Sequence, residues 1–477
     1  MKLSKLFPQA VLTEDPEITG LKTNSREVEP GDLFLCISGM NADRHDYLPD
    51  AIAHGAAAAV VSKDVECTIP TVRVEDVNKV ADEIHDRFYD RPQDKLCLIG
   101  VTGTDGKTST ATLIQTFLGD ENCGYIGTNG VSCRGYYEDN ANTTPDRDYL
   151  LGYFRDFLDH GCRYVAMEAS SEAFFYNRLR GLTFQAAAIS NVTSEHLNTH
   201  KTLENYIACK QQLFLQNAGP SILNKDDQHY SEFAAIAKNV RTYGRDPEND
   251  LWIKDYKLSA VNTEITFVYE GKEYNFTSPL VGEFNVENLA EAMLTCLSIG
   301  IPFEQLLGKM EKLHVEGRME AIDLGQDFQV IVDYAHTPNG IHKLMDFVKK
   351  LNGKRIITVS GQVGGRDAEK RKFVGEAIAR NSDWCIWTLE DPRFEKVEDI
   401  AAMMCERIPD LHNYETVVDR YLAIEKAVFM AEKGDIILIL GKGSEDSNVI
   451  NGEDVPFPGD IRCAEIAVKK RLRNFPF

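Results

Sequence analysis

An apolar run, KLCLIGV at residues 95–101, leads directly into a glycine-rich turn and then into the helical pattern STATLIQTFL at 109–118. An uninterrupted apolar run of this length is typical of a strand that is buried on both faces of a parallel sheet. Parallel strands need a crossover connection, which a helix usually provides. The segment therefore predicts an α/β fold with helices on both faces of its sheet.

The same alternation of strands and helices recurs along the chain and predicts a doubly wound parallel sheet. A period-two pattern at 252–280 predicts antiparallel hairpins, and residues 285–300 have helical spacing. We predict three domains: a small α/β domain over 1–90, a central doubly wound domain over 91–313 and a Rossmann-like α/β domain over 314–477. Further strands are predicted at 31–38, 57–62, 162–170, 184–192, 328–335, 354–360, 384–390 and 435–441.

The length of the chain agrees with three domains, and its composition disfavours some classes of binding partner. The chain has 477 residues, and a domain has roughly 150. Its 52 basic and 74 acidic residues give a net charge of −22, which disfavours a binder of nucleic acid or of an anionic membrane. The 11 cysteines are scattered without a CxxC pair, as is typical of reduced thiols. No run approaches the roughly 20 apolar residues of a membrane helix, so we expect a cytoplasmic protein. We also expect it to be a monomer.

The segment GVTGTDGKTST at 100–110 has the context of a phosphate-binding loop, because it follows a strand and opens a helix. Gly103 and Gly106 allow backbone N–H groups to approach phosphates, and the helix N-terminus adds positive potential. Lys107 would reach the β- and γ-phosphates, and the Thr108 hydroxyl would ligate Mg²⁺. Val101 occupies the first glycine position of the strict motif, so an ordinary strand-to-helix turn is the alternative.

Residues 100–109 resemble the ATP loop of the Mur ligase family, whose members form amide bonds in the peptidoglycan stem peptide at the expense of ATP. Asp105 takes the place of the usual asparagine. The segments GEFNVEN (282–288), HVEGRMEAI (314–322) and VDYAHTPNGI (332–341) resemble further ATP contacts of the family. The resemblance implies ATP and Mg²⁺ as cofactors and an ATP-binding set of Gly103, Thr104, Asp105, Gly106, Lys107, Thr108, Ser109, Asn288, Arg318 and His336.

Two further segments resemble the metal site of the family. VAMEASSE (165–172) places Glu168 at the end of a predicted strand, and residues 190–214 resemble the stretch that supplies a histidine and a carbamylated lysine. A carbamate is an anionic oxygen ligand, which suits a hard cation. The implied metal ligands are Thr108, Glu168, His200 and Lys210 as its carbamate, and the implied catalytic residues are Lys107, Glu168, His200 and Lys210.

Residues 23–62 are similar to the N-terminal domain of the family members that add the third residue of the stem peptide. That domain holds the uridine diphosphate of UDP-N-acetylmuramoyl-L-alanyl-D-glutamate. Glu172 and Tyr176 replace a usual histidine and glutamine, which leaves a related ligase for another carboxylate acceptor as an alternative. The implied contacts to the UDP-linked dipeptide are Ser25, Asn142, Thr143 and Thr144 of the motif ANTTPD, Ser170 and Arg178.

The resemblance extends to the pocket for the incoming amino acid. Arg393 favours meso-diaminopimelate, because a guanidinium pairs bidentately with a distal carboxylate. Asp391 favours an ammonium and leaves L-lysine as the alternative. A nucleotide-binding switch without turnover is a third hypothesis, and the intact Lys107 and Lys210 argue against it. The implied contacts to the amino acid are Arg366, Glu390, Asp391, Pro392, Arg393, Gly441 and Glu445.

Overall fold

The structure is a computed structural model that describes residues 1–38, 43–140, 142–259, 261–365 and 368–474. In that part of the chain, the strands form sheets of four, eleven and six strands and a separate two-stranded hairpin. The α/β class with parallel sheets is as predicted from the sequence. The sheets occupy separate stretches of chain, and the exact domain boundaries near residues 90 and 314 stay a prediction.

The first sheet is parallel throughout, in the order β1-β2-β3-β4. Every residue of β2 and β3 is buried, as the apolar runs predict. Asp76 is the N-cap of the last helix in this region, and its side chain accepts a hydrogen bond from the Asn78 amide. Its elements are α1 (Leu3–Leu6), β1 (Leu21–Lys22), β2 (Leu33–Leu35), α2 (Leu48–Ala53), β3 (Ala58–Val61), β4 (Thr71–Arg73) and α3 (Val77–Tyr89), with 3₁₀ turns at Ser25–Glu27 and Arg44–Tyr47.

The second sheet has a parallel centre with antiparallel strands at both edges. Its strands are β5 (Cys97–Thr102), β6 (Cys123–Gly127), β7 (Gly130–Cys133), β8 (Tyr136–Glu138), β9 (Tyr164–Glu168), β10 (Ala186–Ile189), β11 (Ser221–Asn224), β12 (Val240–Gly244), β13 (Leu251–Leu258), β14 (Thr263–Tyr269) and β15 (Lys272–Ser278). They lie in the order β15-β14-β13-β12-β11-β10-β5-β9-β6-β7-β8. The predicted hairpins are β13 to β15, which pair antiparallel.

Helices cover the second sheet and complete its hydrophobic core. They are α4 (Lys107–Leu118), α5 (Arg147–Asp159), α6 (Ser171–Phe175), α7 (Leu197–His200), α8 (Leu203–Leu215), α9 (Tyr230–Ala234), α10 (Glu283–Ser298) and α11 (Phe303–Leu307), with 3₁₀ turns at Pro92–Asp94 and Met310–Lys312. β5 pairs in parallel with β9 on one side and β10 on the other. The carboxyl ends of these three strands therefore meet at one edge, where ligands bind in open α/β sheets.

The third sheet has the order β16-β17-β21-β18-β19-β20 and is parallel except for β16. Its strands are β16 (Glu320–Ala321), β17 (Gln329–Asp333), β18 (Ile356–Ser360), β19 (Trp384–Trp387), β20 (Tyr414–Thr416) and β21 (Ile436–Leu440). Its helices are α12 (Pro338–Lys350), α13 (Ala368–Ala379), α14 (Val397–Cys405), α15 (Arg420–Met430) and α16 (Asp460–Asn474), and the hairpin is β22 (Ser447–Ile450) with β23 (Glu453–Pro456). Among the described helices, none is both long and apolar enough to cross a bilayer.

A buried carboxyl group lies between the helix that follows the glycine-rich loop and α10. Glu291 is fully buried and accepts a hydrogen bond from the Thr110 hydroxyl at 3.0 Å. Burial raises the pKa of Glu291 from about 4.5 to about 8. The folded state therefore binds this proton more tightly than the unfolded state does. The contribution to stability is complete below pH 4.5 and is lost as the pH rises through 8.

We expect Glu291→Gln to flatten this pH dependence, because the amide cannot ionise. The melting temperature should fall between pH 6 and pH 9 in the wild type, and this fall should exceed that of the variant by about 3 °C or more. Calorimetry at both pH values measures the difference, with the exposed Glu264→Gln as the control that should follow the wild type. Equal losses in Glu291→Gln and the wild type would contradict the assigned protonation.

Candidate active site

The second and third sheets face each other across one large cavity of about 1160 Å³. The glycine-rich loop, the end of β9 and the segment before α8 line it from the second sheet. Residues after β17, β19 and β21 line it from the third sheet. A cavity of this volume is slightly larger than the usual site for one small ligand. Its predicted lining residues are Thr104, Asp105, Gly106, Lys107, Thr108, Asn142, Thr143, Glu168, Ser170, Arg178, Lys210, Arg318, His336, Asp391, Arg393 and Glu445.

The glycine-rich loop turns tightly because two of its glycines have left-handed backbone. Gly103 has φ of +139° and Gly106 has φ of +91°. A Cβ at Gly103 would collide with the Ser190 hydroxyl, and one at Gly106 would collide with the Asn288 side chain. The Lys107 ammonium folds back onto the Gly103 and Thr104 carbonyls at 3.0 and 2.8 Å. The loop is therefore shaped by its own backbone, with its lysine facing the cavity.

Residues of the third-sheet region contact this loop directly. The Asp105 carboxylate accepts hydrogen bonds from the Thr337 hydroxyl at 3.2 Å and from the Asn339 amide at 3.3 Å. Thr337 is the N-cap of α12, so the carboxylate lies at the positive end of that helix. The Arg318 guanidinium donates to the Thr108 hydroxyl at 3.1 Å. Hydrogen bonds from the third-sheet region and the N-terminus of α12 thus stabilise the negative charge that Asp105 adds to the loop.

Glu168 lies at the carboxyl end of β9 with both oxygens oriented by neighbours. Its Oε1 accepts from the Tyr125 hydroxyl and from the Thr128 amide, each at 2.8 Å, and its Oε2 lies 3.4 Å from the Thr128 hydroxyl. The side chain is buried but borders the cavity. Such fixed orientation suits a carboxylate that ligates a cation.

Lys210 extends from α8 to the base of the glycine-rich loop. The residue is 1% exposed, and its ammonium donates to the Gly103 carbonyl at 2.6 Å. Burial lowers the pKa of Lys210 well below its ordinary value, and the nearby charge of Lys107 lowers it further. A neutral amine is the form that combines with carbon dioxide, so this environment favours a carbamate.

One predicted ligand lies outside the cavity lining. His200 does not border the cavity: it is 2% exposed and packs between Phe175 and Tyr206, with Nε2 at 3.0 Å from the Ser171 hydroxyl. His196, one turn earlier, borders the cavity with a side chain that is 35% exposed. The two histidines are four residues apart, His196 as the N-cap of α7 and His200 as its last residue, and only the fold decides which one faces the cavity.

Glu195 joins the two halves of the cavity. It lies 3.7 Å from His196 of its own segment and 3.5 and 3.6 Å from His336 and Lys370 of the third-sheet region. Burial acts to raise the pKa of Glu195, but the hydrogen bond with His336 and the charges of His196 and Lys370 outweigh it, so the pKa lies well below the ordinary value. Glu195 is therefore an anion that contacts side chains from both halves.

The threonine motif is tied to the end of β9. The Thr144 hydroxyl donates to the Glu168 carbonyl at 2.8 Å and lies 3.1 Å from the Ser170 hydroxyl. The Arg178 guanidinium donates to the Thr144 carbonyl at 3.1 Å and pairs with Asp146 at 2.6 Å. Glu172, which replaces the histidine usual in the family, accepts a hydrogen bond from the Thr199 hydroxyl at 3.0 Å. Tyr176, which replaces the usual glutamine, is 47% exposed.

In the pocket next to β19 and β21, two acidic side chains share one buried lysine. The Lys442 ammonium lies 3.1 Å from Asp391 Oδ1 and 2.9 Å from Glu445 Oε2. The Tyr334 hydroxyl donates to Glu445 Oε1 at 2.8 Å. Burial raises the pKa of Glu390, which lies beneath Gly441. Asp391 is thus engaged by Lys442, which the sequence prediction did not include.

Some predicted site residues lie away from the cavity. Ser25 is buried in the first-sheet region, where its hydroxyl donates to Asp50 at 2.7 Å. Arg366 lies outside the described residues. The cavity walls do not include Ser25, Gly103, Ser109, Thr144, His200, Asn288, Glu390, Pro392 or Gly441.

The sequence prediction also omitted cavity residues. Thr128 and Asn129 lie in the turn between β6 and β7, which no motif marks, and the Ser444 hydroxyl donates to the Asn129 side chain at 2.9 Å. Tyr334 stands inside a quoted motif, VDYAH, but an aromatic residue at a strand end is usually a packing residue. The signal that could have found His196 is the adjacent acidic residue, Glu195.

A glycine-rich loop at a helix N-terminus that faces a second α/β unit across a charged cavity is typical of nucleotide-dependent enzymes. The chain matches family models of the Mur ligase family, catalytic domain over 17–89, the Mur ligase middle domain over 101–296 and the Mur ligase, glutamate ligase domain over 317–443. It belongs to the Mur ligase family, whose members use ATP.

Two curated relatives that match nearly the whole chain carry the same name. UDP-N-acetylmuramoyl-L-alanyl-D-glutamate--2,6-diaminopimelate ligase of Bacillus licheniformis is 35% identical over 98% of this chain and 99% of its own. The enzyme of that name from Gloeobacter violaceus is 36% identical over 96% of each chain. A solved structure with that title is 27% identical, covers 99% of each chain and has a TM-score of 0.64. MurF ligase from Thermotoga maritima in complex with ADP shares the fold, with 17% identity over 95% of this chain and 98% of its own and a TM-score of 0.68.

Proposed function

We propose that this chain joins meso-diaminopimelate to UDP-N-acetylmuramoyl-L-alanyl-D-glutamate at the expense of ATP. The observation that carries the proposal is the single cavity that connects the loop with Lys107, the acceptor residues Asn142 and Thr143, and the acidic and basic groups at Asp391 and Arg393. Ligation needs all three substrates in one enclosed space. The curated relatives that match this chain over nearly their whole length are named for this activity.

The reaction we propose has two steps. A γ-carboxylate oxygen of D-glutamate attacks the γ-phosphorus of ATP, the bond to ADP breaks, and an acyl phosphate forms. The amine of the incoming amino acid then attacks the acyl carbon, loses a proton, and expels inorganic phosphate as the amide bond forms. Most of the catalysis is positioning and charge neutralisation. Lys107 contributes a positive charge beside the transferred phosphoryl group.

The residues around Glu168 fit a magnesium site. We propose Glu168, His196 and carbamylated Lys210 as ligands, with the Thr108 hydroxyl at the nucleotide side, and His196 replaces the predicted His200. Within the described residues, no three His, Cys, Asp or Glu side chains could hold a metal ion by themselves. A carbamate on Lys210 would add an anionic oxygen ligand. When bound, Mg²⁺ neutralises phosphate charge.

The charges near Arg393 support diaminopimelate as the amino acid. A free carboxylate at Asp391 would instead favour the lone distal ammonium of lysine. That carboxylate already accepts hydrogen bonds from Lys442 at 3.1 Å and from the Val449 amide at 3.0 Å. Arg393 borders the cavity, where a guanidinium suits the distal carboxylate.

We expect Arg393→Ala to reduce kcat/KM for diaminopimelate at least about tenfold and to leave kcat/KM for L-lysine nearly unchanged. The reason is that only diaminopimelate has a distal carboxylate, and truncating one partner of such a charge pair costs about 2–5 kcal/mol. Steady-state phosphate release with each amino acid measures both constants. Arg380→Ala, at an exposed arginine that directly follows α13, is the matched control. A wild type that prefers lysine, together with an unchanged preference in Arg393→Ala, would make Arg393 structural.

A screen of amino acids tests the proposed function. Purified protein is incubated with ATP, Mg²⁺, the UDP-linked dipeptide and one amino acid at a time, and released phosphate is measured. We expect phosphate release that requires both the dipeptide and diaminopimelate. Release that occurs without the UDP-linked dipeptide, or that requires a different acceptor, would overturn the proposal.

A further inference from the structure

The buried lysine of the amino-acid pocket has no role in the reaction described above. Lys442 lies behind Asp391 and Glu445, which border the cavity, whereas Lys442 is 0% exposed and does not border it. A buried ammonium is costly unless carboxylates compensate it. Lys442 meets that condition with one carboxylate on each side, at 3.1 and 2.9 Å.

Both carboxylates are fixed from a second direction. Asp391 Oδ1 also accepts from the Val449 amide at 3.0 Å, and Glu445 Oε1 accepts from the Tyr334 hydroxyl at 2.8 Å. Asp391 has a left-handed backbone with φ of +39°, a conformation that asparagine and aspartate tolerate better than other residues. The lysine and its two carboxylates therefore form one rigid unit that presents a fixed charge to the cavity.

The charge of that unit distinguishes the two candidate amino acids. The distal end of diaminopimelate carries an ammonium and a carboxylate, with a net charge of zero. The distal end of lysine carries an ammonium alone. A pocket that gains one negative charge favours lysine relative to diaminopimelate, and a pocket that loses one does the reverse. This comparison is independent of the other fixed charges, which are the same in all variants.

We infer that Lys442 is a positioning residue that sets the amino-acid preference, because it cancels one of the two carboxylate charges that it holds at the pocket wall. The inference rests on the proposed function. A residue that merely stabilised the fold would affect both amino acids equally. A residue that sets the preference changes the ratio of the two kcat/KM values.

The test measures kcat/KM for diaminopimelate and for L-lysine at saturating ATP and UDP-linked dipeptide. We expect Lys442→Met to lower the diaminopimelate-to-lysine ratio about tenfold or more and Asp391→Asn to raise it, since the two substitutions change the pocket charge in opposite directions. The double variant should return to within about threefold of the wild type. Lys442→Arg should keep the wild-type ratio. Lys354→Met, an exposed lysine in the same region, is the control for net charge.

Asp391→Asn alone keeps the inference testable if Lys442→Met does not fold, because asparagine fits the same backbone and can still accept from the Val449 amide. Equal losses for both amino acids, with an unchanged ratio in Lys442→Met and in Asp391→Asn, would overturn the inference and leave the proposed function standing. A wild type that makes no product with diaminopimelate and the UDP-linked dipeptide would overturn both.

Discussion

Lys107→Ala is expected to lower the rate of ligation by about a thousandfold or more while leaving the fold intact. The lysine supplies a positive charge at the phosphoryl group, and within the described residues its ammonium donates to two carbonyls of its own loop, at 3.0 and 2.8 Å. Phosphate release measures the rate, and circular dichroism and the melting temperature check the fold.

The matched control is Lys257→Ala, an exposed lysine on β13 that is 81% exposed. It removes the same charge from the same half of the molecule and should retain wild-type turnover. Turnover near the wild-type value in Lys107→Ala would refute the assignment of the ATP loop.

Lys210→Ala is expected to be nearly inactive for a different reason. We propose that Lys210 acts only as a carbamate, and the variant loses that oxygen ligand rather than a positive charge. Lys210→Arg keeps a cation but cannot form the carbamate, so it should be equally inactive. High bicarbonate or a short carboxylic acid should partly restore Lys210→Ala, because either can supply the missing carboxylate.

Carbon-13 NMR with labelled carbon dioxide gives an independent measurement. The wild type and the exposed control Lys238→Ala should each show a carbamate signal, and Lys210→Ala should lack it. An active wild type without that signal, or a fully active Lys210→Arg, would eliminate the carbamate.

Local patterns predicted the elements that position the site. The apolar run before the glycine-rich loop forms β5 (Cys97–Thr102), and α4 begins at Lys107, inside the quoted motif. Glu168 could be placed at a strand end for the same reason, because the run before it is buried over β9. Consecutive burial and glycine spacing are properties of neighbouring residues, so the sequence displays them directly.

The residues that prediction missed depend on contacts between distant segments. His196 and His200 are equivalent by sequence, and a tight turn with left-handed backbone at His196 and Lys201 decides which one faces the cavity. Lys442 became informative only when the fold brought it to Asp391, 51 residues earlier in the chain. Asp105 was expected beside the phosphates, but its carboxylate is held by α12, 232 residues later.

The central claim is that the chain activates the D-glutamate γ-carboxylate as an acyl phosphate and transfers it to diaminopimelate. Oxygen-18 in that carboxylate tests it directly, because one carboxylate oxygen leaves with the phosphate. Mass spectrometry of a complete reaction should show the UDP-linked tripeptide, ADP and inorganic phosphate that carries one labelled oxygen. Label in AMP, unlabelled phosphate, or no tripeptide with diaminopimelate would contradict the account.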